Sequence, residues 1–364
     1  LHPYKSGGLV IKEAVKRAQV TAEDISDVIM GNCLSNVGNI ARMSALEAGL
    51  DVSVPGVTID RQCGSGMNSV MLAAQMIKAD GGVYVAGGVE SMTLEPYLLG
   101  KQSKLYDQQP PQFLQRNLST PEIGDPPMGI TAENLAEKYD ISFEEQNEFA
   151  LHSQQKMDKA MSAGYFKDEI VPVEITTKKG KEFFTEDEHP RRNITLEQLS
   201  NLRPVFKENG TVTAGTSSGI NDGAAALVMM SDEEAKKRNI TPLVKVIGYA
   251  VSGLDPNYMG IGPVPAVQKV LKNTGMSLDE IDLIEINEAF AVQVLACHKE
   301  LKFDMDKVNV NGGAIAHGHP IAATGAILTA KLINELKRRN KKYGLLTACI
   351  GGGQGIALII ENIN

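Results

Sequence analysis

IKEAVKRAQVTAEDISDVIM at 11–30 and VQKVLKNTGMSLDEIDLIEI at 267–286 read alike: an amphipathic helix, an acidic turn, then a short apolar strand. Lys16 falls on Lys272, Ile25 on Ile281, Val28 on Ile284 and Met30 on Ile286, all at one spacing of 256 residues. The same spacing carries Cys63 onto His319. Each of those two residues stands at the entry to a small-residue helix, in VPGVTIDRQCGSGMNSVMLAAQMI at 54–77 and VNVNGGAIAHGHPIAATGAILTAKLI at 308–333. Each helix leads to an apolar strand ending in glycines, GGVYVAGG at 81–88 and GLLTACIGGG at 344–353. Two visible copies indicate a duplicated α/β unit and not a solenoid, with a buried sheet covered by helices in each half.

Between the copies the character changes. Residues 90–210 are polar, carry Pro96, Pro110, Pro111, Pro121, Pro126 and Pro127, and include a charged helix near 133–163. This stretch is expected to be an inserted loop domain over the two halves. Residues 211–242 return to Gly-rich and apolar sequence, so the N-terminal half is expected to comprise 1–89 with 211–242, and the C-terminal half 243–364.

Composition sets the outer limits. The chain has 364 residues, 43% of them apolar and 22% charged, an ordinary globular balance. A net charge of −8 opposes nucleic acid and anionic membrane alike. Four cysteines (Cys33, Cys63, Cys297, Cys349) with no CxxC or Cys/His ligand spacing argue against a disulfide scaffold and a structural zinc, and for a reducing compartment. No apolar run approaches the ~20 residues that span a bilayer. With no basic-then-apolar leader after Leu1, the expected setting is the cytoplasm, without a metal or cofactor.

Cys63, in Gln62-Cys63-Gly64-Ser65-Gly66, sits at a helix N-terminus, where free N–H groups and the helix dipole favour a thiolate. Cysteine is also a common core residue, and local context weighs nucleophile and core evenly. His319 precedes Pro320, which disfavours helical geometry and turns the imidazole outward, where it can accept a thiol proton. A packing histidine would be the ordinary reading, and the repeat tips the balance. Cys349 ends a buried-looking strand before Gly351, Gly352 and Gly353, a place for a second thiol and for N–H donors facing an oxyanion. The run GGGQG leads into a strand and not a helix, so it is not a phosphate loop. Asn287 follows a strand and reads equally as a water-orienting amide or a helix cap. A basic patch for an anionic substrate has candidates in Lys178, Lys179, Lys181, Arg191 and Arg192, although such runs are usually solvated faces. Cys33 and Cys297 read as packing residues.

Taken together, QCGSG at 62–66, AGGVESM at 86–92, MGITAENLA at 128–136, GTVTAG at 210–215, SGINDGAAA at 218–226, MGIGPVPA at 259–266, NEAFA at 287–291, GGAIAHGHP at 312–320 and CIGGGQG at 349–355 resemble the thiolase family in family order. The resemblance implies an α/β fold of two duplicated βαβαβ-type halves with an inserted loop domain, assembled as a homodimer or homotetramer. It implies an acyl-CoA acyltransferase: reversible condensation of two acetyl-CoA to acetoacetyl-CoA plus CoA, or thiolytic cleavage of a 3-ketoacyl-CoA. Cys63 would be acylated, His319 would activate it, and Cys349 would move the proton at the substrate α-carbon. Asn287 and His319 would frame one oxyanion hole, and the N–H groups of Cys63 and Gly351 the other. Positions matching the CoA-binding arm are Met128, Phe206, Ala214, Ser218, Ile220, Met259 and Phe290. CoA and acyl-CoA are then substrates, with no further cofactor. Three positions depart from the family: His317 where an apolar residue is usual, Ala322 where glycine is usual, and Pro127 where short-chain biosynthetic members often carry His. The family's first strand is also expected to be missing from the start. Rival readings are a ketoacyl-synthase-type condensing enzyme, which the second thiol disfavours, a non-enzymatic acyl-CoA or lipid carrier, and a Cys-His hydrolase.

Overall fold

The computed structural model describes residues 1–102, 110–178 and 180–363; Lys179, one of the basic candidates, lies outside them. Helix α1 (Pro3–Arg17) leads into β1 (Ile25–Gly31), α2 (Ile40–Glu47) into β2 (Gly56–Ile59), and α3 (Ser65–Asp80) into β3 (Val83–Ser91). After β3 come α4 (Met128–Tyr139), α5 (Phe143–Ser162), the hairpin of β4 (Val173–Thr177) and β5 (Gly180–Phe184), and α6 (Leu196–Ser200). The chain returns as β6 (Asp222–Met230) and α7 (Asp232–Lys237). The second half runs β7 (Val244–Gly253), α8 (Pro263–Thr274), β8 (Leu283–Ile286), α9 (Ala291–Leu301), α10 (Ala314–His317), α11 (Thr324–Arg339), β9 (Tyr343–Ile350) and β10 (Gln354–Asn362).

The first sheet has the order β2-β1-β3-β6, with β1 parallel to β2 and β3, and β6 antiparallel to β3. The second has the order β7-β10-β9-β8, with β8 parallel to β9, and β10 antiparallel to β9 and β7. Thus β1, β3 and β6 answer to β8, β9 and β10. A single parallel bridge from Ile284 to Val308 stands where β2 would be. Among the described residues β6 has no strand on its other side, where β10 carries β7.

Apolar burial stacks these parts in layers. Helices α3 and α11 lie between the sheets, where Met67, Val70, Leu328 and Leu332 pack with Ile29, Ala86, Leu346 and Ile356. Ile11, Val15 and Ile40 of α1 and α2 cover the outer face of the first sheet, beside Val28 and Val85. Val267, Val270 and Val294 of α8 and α9 cover the second, beside Ile284 and Ile359. Strands buried on both faces explain the unbroken apolar runs in the sequence.

The central helices touch reciprocally. A Cβ on Gly66 would lie 2.7 Å from the Ala326 nitrogen, and one on Gly325 would lie 2.2 Å from the Met67 nitrogen. That exchange pairs Gly66 with Gly325 and Met67 with Ala326, a spacing of 259 at the helices. The residue equivalent to Cys63 is therefore Ala322, which corrects the expected equivalence with His319. His319 lies three residues further back, on the turn that leads into α11, and enters the site by its own route. The insertion also has a symmetry mate: β9 joins β10 through Gly351, Gly352 and Gly353, whereas β3 joins β6 through everything from Met92 to Asn221.

Candidate active site

Cys63 lies on a turn that the backbone adopts only under restraint. Gln62 has φ +45°, left-handed for a residue with a side chain, which costs about 1–3 kcal/mol. The restraint is local. Asp60 Oδ1 accepts the Gln62 N–H at 2.8 Å and its side-chain Nε2–H at 3.0 Å. Ser65 Oγ accepts the Arg61 N–H at 2.8 Å and donates to the Gln62 carbonyl at 2.7 Å. The turn is fastened to the other half as well, since the Arg61 guanidinium donates to Gln354 Oε1 at 3.1 Å.

The N–H groups of Gly351 and of Cys63 itself lie near the half-buried Cys63 sulfur and favour its thiolate form. Helix-start donors by themselves favour a thiolate. Burial outweighs them, and with the Glu90 and Asp60 carboxylates pushes the thiol up to about 11. The resting group is a thiol and requires a base.

His319 is built to be one. Its Nδ1 lies 2.6 Å from Thr324 Oγ1, and that hydroxyl donates its own proton to the Pro320 carbonyl at 3.3 Å. Nδ1 therefore carries the hydrogen. On the other side, Asn287 Nδ2 stands 3.4 Å from Nε2, a donor facing the bare nitrogen. Both contacts select the same tautomer, with Nε2 unprotonated and therefore able to act as a base. Burial lowers the imidazole to about 4, so it is neutral at pH 7. The His319 N–H donates to Asn221 Oδ1 at 3.2 Å.

Cys349 is buried one residue before the end of β9, opposite Gly355 of β10. Burial pushes its thiol well above the ordinary range, and the neighbouring Cys63 sulfur adds to the effect. Gly352 and Gly353, at φ +83° and +79°, make the tight turn that brings the Gly351 N–H onto Cys63. Asn287 closes the other side, its N–H bound to the Thr347 carbonyl of β9 at 3.0 Å and its Oδ1 buried without a partner. The structure thus builds two groups, Cys63 with Gly351 and Cys349, and His319 with Asn287. Both groups border the C-terminal ends of β8 and β9, where Asn287 and Cys349 stand.

An apolar wall runs from this point. Met128, Met259, Ala289 and Phe290 pack with Cys349. Phe206 meets Phe290 edge-on, with ring centroids 6.2 Å apart, and Gly129 leaves the room its ring needs on α4. The Ser218 N–H donates to the Ala289 carbonyl at 3.0 Å. Ala214 and Ile220 are exposed on the same segment. Two of the basic candidates are engaged elsewhere: Lys181 pairs with Glu174, and Arg192 with Asp158 and Glu186. The hairpin that carries Lys181 lends Val173, Ile175 and Phe184 to a cavity of about 1270 Å³, lined also by β6, Lys331, Glu90 and His317.

Sequence reading passed over four residues here. Thr324 and Asn221 hold the ring and the backbone of His319. Leu118 covers Gly351 and Gly352. Glu90 is buried and accepts N–H bonds from Cys33, Leu34 and Ala322, tying the first half to the turn before α11. Asn221 and Glu90 stand inside quoted family segments; nothing local marks Thr324 or Leu118. Among the described residues no group of His, Cys, Asp or Glu is placed to hold a metal, and no helix is long and apolar enough to cross a membrane.

A duplicated, layered α/β fold with two thiols and an imidazole where its halves meet defines an acyl-transfer class of site. Residues 5–233 match the thiolase N-terminal domain and residues 240–362 the thiolase C-terminal domain, so the chain belongs to the thiolase family. It is 50% identical to the acetyl-CoA acetyltransferase of Escherichia coli (strain K12), over 98% of this chain and 93% of that one. It is 48% identical to the mitochondrial 3-ketoacyl-CoA thiolase of Bos taurus, over 99% and 92%. The crystal structure of the Bacillus anthracis acetyl-CoA acetyltransferase superposes with a TM-score of 0.93 at 46% identity, covering all of this chain and 93% of that one. Human mitochondrial 3-ketoacyl-CoA thiolase in complex with CoA gives 0.93 at 43% identity, with the same coverage.

Proposed function

We propose that this chain is an acyl-CoA acyltransferase that runs the thiolase reaction through an acyl-Cys63 intermediate. The observation that carries it is the Cys63 sulfur seated between the N–H groups of Cys63 and Gly351, with a second thiol, Cys349, beside it. His319 Nε2 takes the Cys63 proton as sulfur attacks the thioester carbon. The developing oxyanion lies against the two N–H donors; as it collapses, Cys349 gives its proton to the departing CoA sulfur while His319 keeps the proton from Cys63. In condensation the Cys349 thiolate so formed removes a proton from the α-carbon of acetyl-CoA, with the thioester oxygen facing Asn287 and the protonated His319. The carbanion attacks the acyl carbon and displaces the Cys63 thiolate, which takes its proton back from His319. In cleavage the same steps run backwards, with CoA as acceptor. Because the thiol lies high and the imidazole low, proton transfer accompanies attack and is not completed beforehand.

The acyl-CoA substrates are supported by the names of the relatives and by the apolar wall of Met128, Phe206, Met259 and Phe290. Ala214, Ser218 and Ile220 are assigned to the CoA arm on the family resemblance. A homodimer or homotetramer in the cytoplasm is the accompanying reading, supported by the family resemblance and by four unpaired cysteines. The division into 1–89 with 211–242, 90–210 and 243–364 follows the return of the chain at β6. The test is CoA-dependent loss of acetoacetyl-CoA. Cys63→Ala abolishes turnover and acyl labelling together, whereas Cys349→Ala retains labelling of Cys63 and loses turnover. Turnover surviving Cys63→Ala ends this reading, and binding of CoA esters without thiol exchange in the parent protein makes the chain a carrier.

A further inference from the structure

His317 plays no part in the chemistry above, and its placement is costly. Its Nδ1 lies 2.9 Å from the Gly318 carbonyl, which can only accept, so Nδ1 bears the hydrogen. Nε2 is then a bare acceptor, and it is buried without a partner. An orphaned buried acceptor is destabilising, so stability alone would favour an apolar side chain here.

The bond it makes has a definite consequence. The carbonyl of Gly318 and the N–H of His319 belong to one peptide unit. His317 holds the oxygen end, and Asn221 Oδ1 holds the hydrogen end at 3.2 Å. Gly318 makes this possible: its φ of +94° suits glycine, and a Cβ there would lie 2.2 Å from Asn221 Oδ1. The peptide that delivers the imidazole is thus clamped on both edges, while Thr324 and Asn287 fix the ring itself.

We infer that His317 is a positioning residue for His319, its Nδ1–H locking the 318–319 peptide so that the His319 ring stays aligned for proton transfer. The assignment rests on His319 being the base, as proposed above. Misplacement by a fraction of an ångström is enough to slow such a transfer. Leucine fills nearly the same volume and removes the donor. Asparagine places an amide N–H close to the Nδ1 position, and glutamine places it one bond too far.

Steady-state kinetics and thermal unfolding of the parent, His317→Leu, His317→Asn and His317→Gln test this. His317→Leu is expected to lower kcat about tenfold with KM within twofold, and to leave Tm unchanged or raised, because the orphaned nitrogen is gone. His317→Asn is expected to return kcat to within about threefold of the parent. A His317→Leu kcat within twofold of the parent overturns the inference. So does His317→Gln matching His317→Asn, a comparison that stands even if the leucine variant fails to fold. A parent in which His319→Ala leaves turnover intact defeats the proposed base itself and the inference with it, whereas the first two outcomes defeat only the clamp.

Discussion

Cys63 and His319 are displaced in opposite directions by the same cause. Burial disfavours charge on either, raising the thiol to about 11 and lowering the imidazole to about 4. The consequence for activity has a definite sign. A base is competent when unprotonated, so His319 works at any pH above about 4. We expect kcat/KM to hold from pH 7 to about 5 and to fall only as pH approaches about 4. A pH–rate profile with an acid limb near 6.5, the ordinary imidazole value, would contradict it. The identity of these residues was legible from their neighbours: glycines around Cys63, proline after His319. The direction of the thiol shift was not, because a helix start is visible in the chain and the matter that buries it is contributed by β9 and β10. Thr324 illustrates the same limit, since only the fold of the turn brings a threonine five residues on against Nδ1.

At the scale of elements, the contact between α3 and α11 decides whether the site exists. Both helices begin with small residues, and Gly66 and Gly325 let their backbones close to a distance no Cβ permits. Gly325→Ala would place a methyl 2.2 Å from the Met67 nitrogen, so the helices must separate. We expect a loss of about 1–3 kcal/mol, the usual cost of overpacking, together with reduced kcat. Gly38→Ala, where a Cβ meets nothing within 4 Å, serves as the control and should leave both unchanged. Thermal unfolding with a parallel kinetic assay measures the pair; equal Tm values would remove the crossing from the account. The repeat was readable at the level of helix-turn-strand units. Its 256-residue spacing failed by three at the central helices, because the turn before α11 is longer than the one before α3, and turn length is where similar halves diverge.

For the molecule as a whole, burial of histidine couples stability to pH. His319 goes from an ordinary value near 6.5 in the unfolded chain to about 4 when folded. Between those values the unfolded chain binds a proton that the folded one refuses, so stability falls as pH drops from about 6.5 towards 4. The linkage amounts to roughly 3 kcal/mol when complete. Glu169, pushed up to about 7 by burial, acts in the opposite sense, since the folded state holds its proton through the same window. Comparison with His319→Asn isolates the imidazole. Denaturant unfolding at pH 4.5 and pH 7 should show the parent losing more stability than the variant, and equal losses would refute a buried neutral His319.

Local sequence determined the helices, the strands, their duplication and the candidate nucleophile, base and second thiol, because apolar period, glycine placement and proline are written along the chain. Tertiary structure alone decided which half meets which at the thiol, that Cys63 rests protonated, and that Asn221, Thr324 and His317 hold the base. Those properties depend on desolvation and on hydrogen bonds between distant or turn-closed groups, and neither exists until the layers have packed.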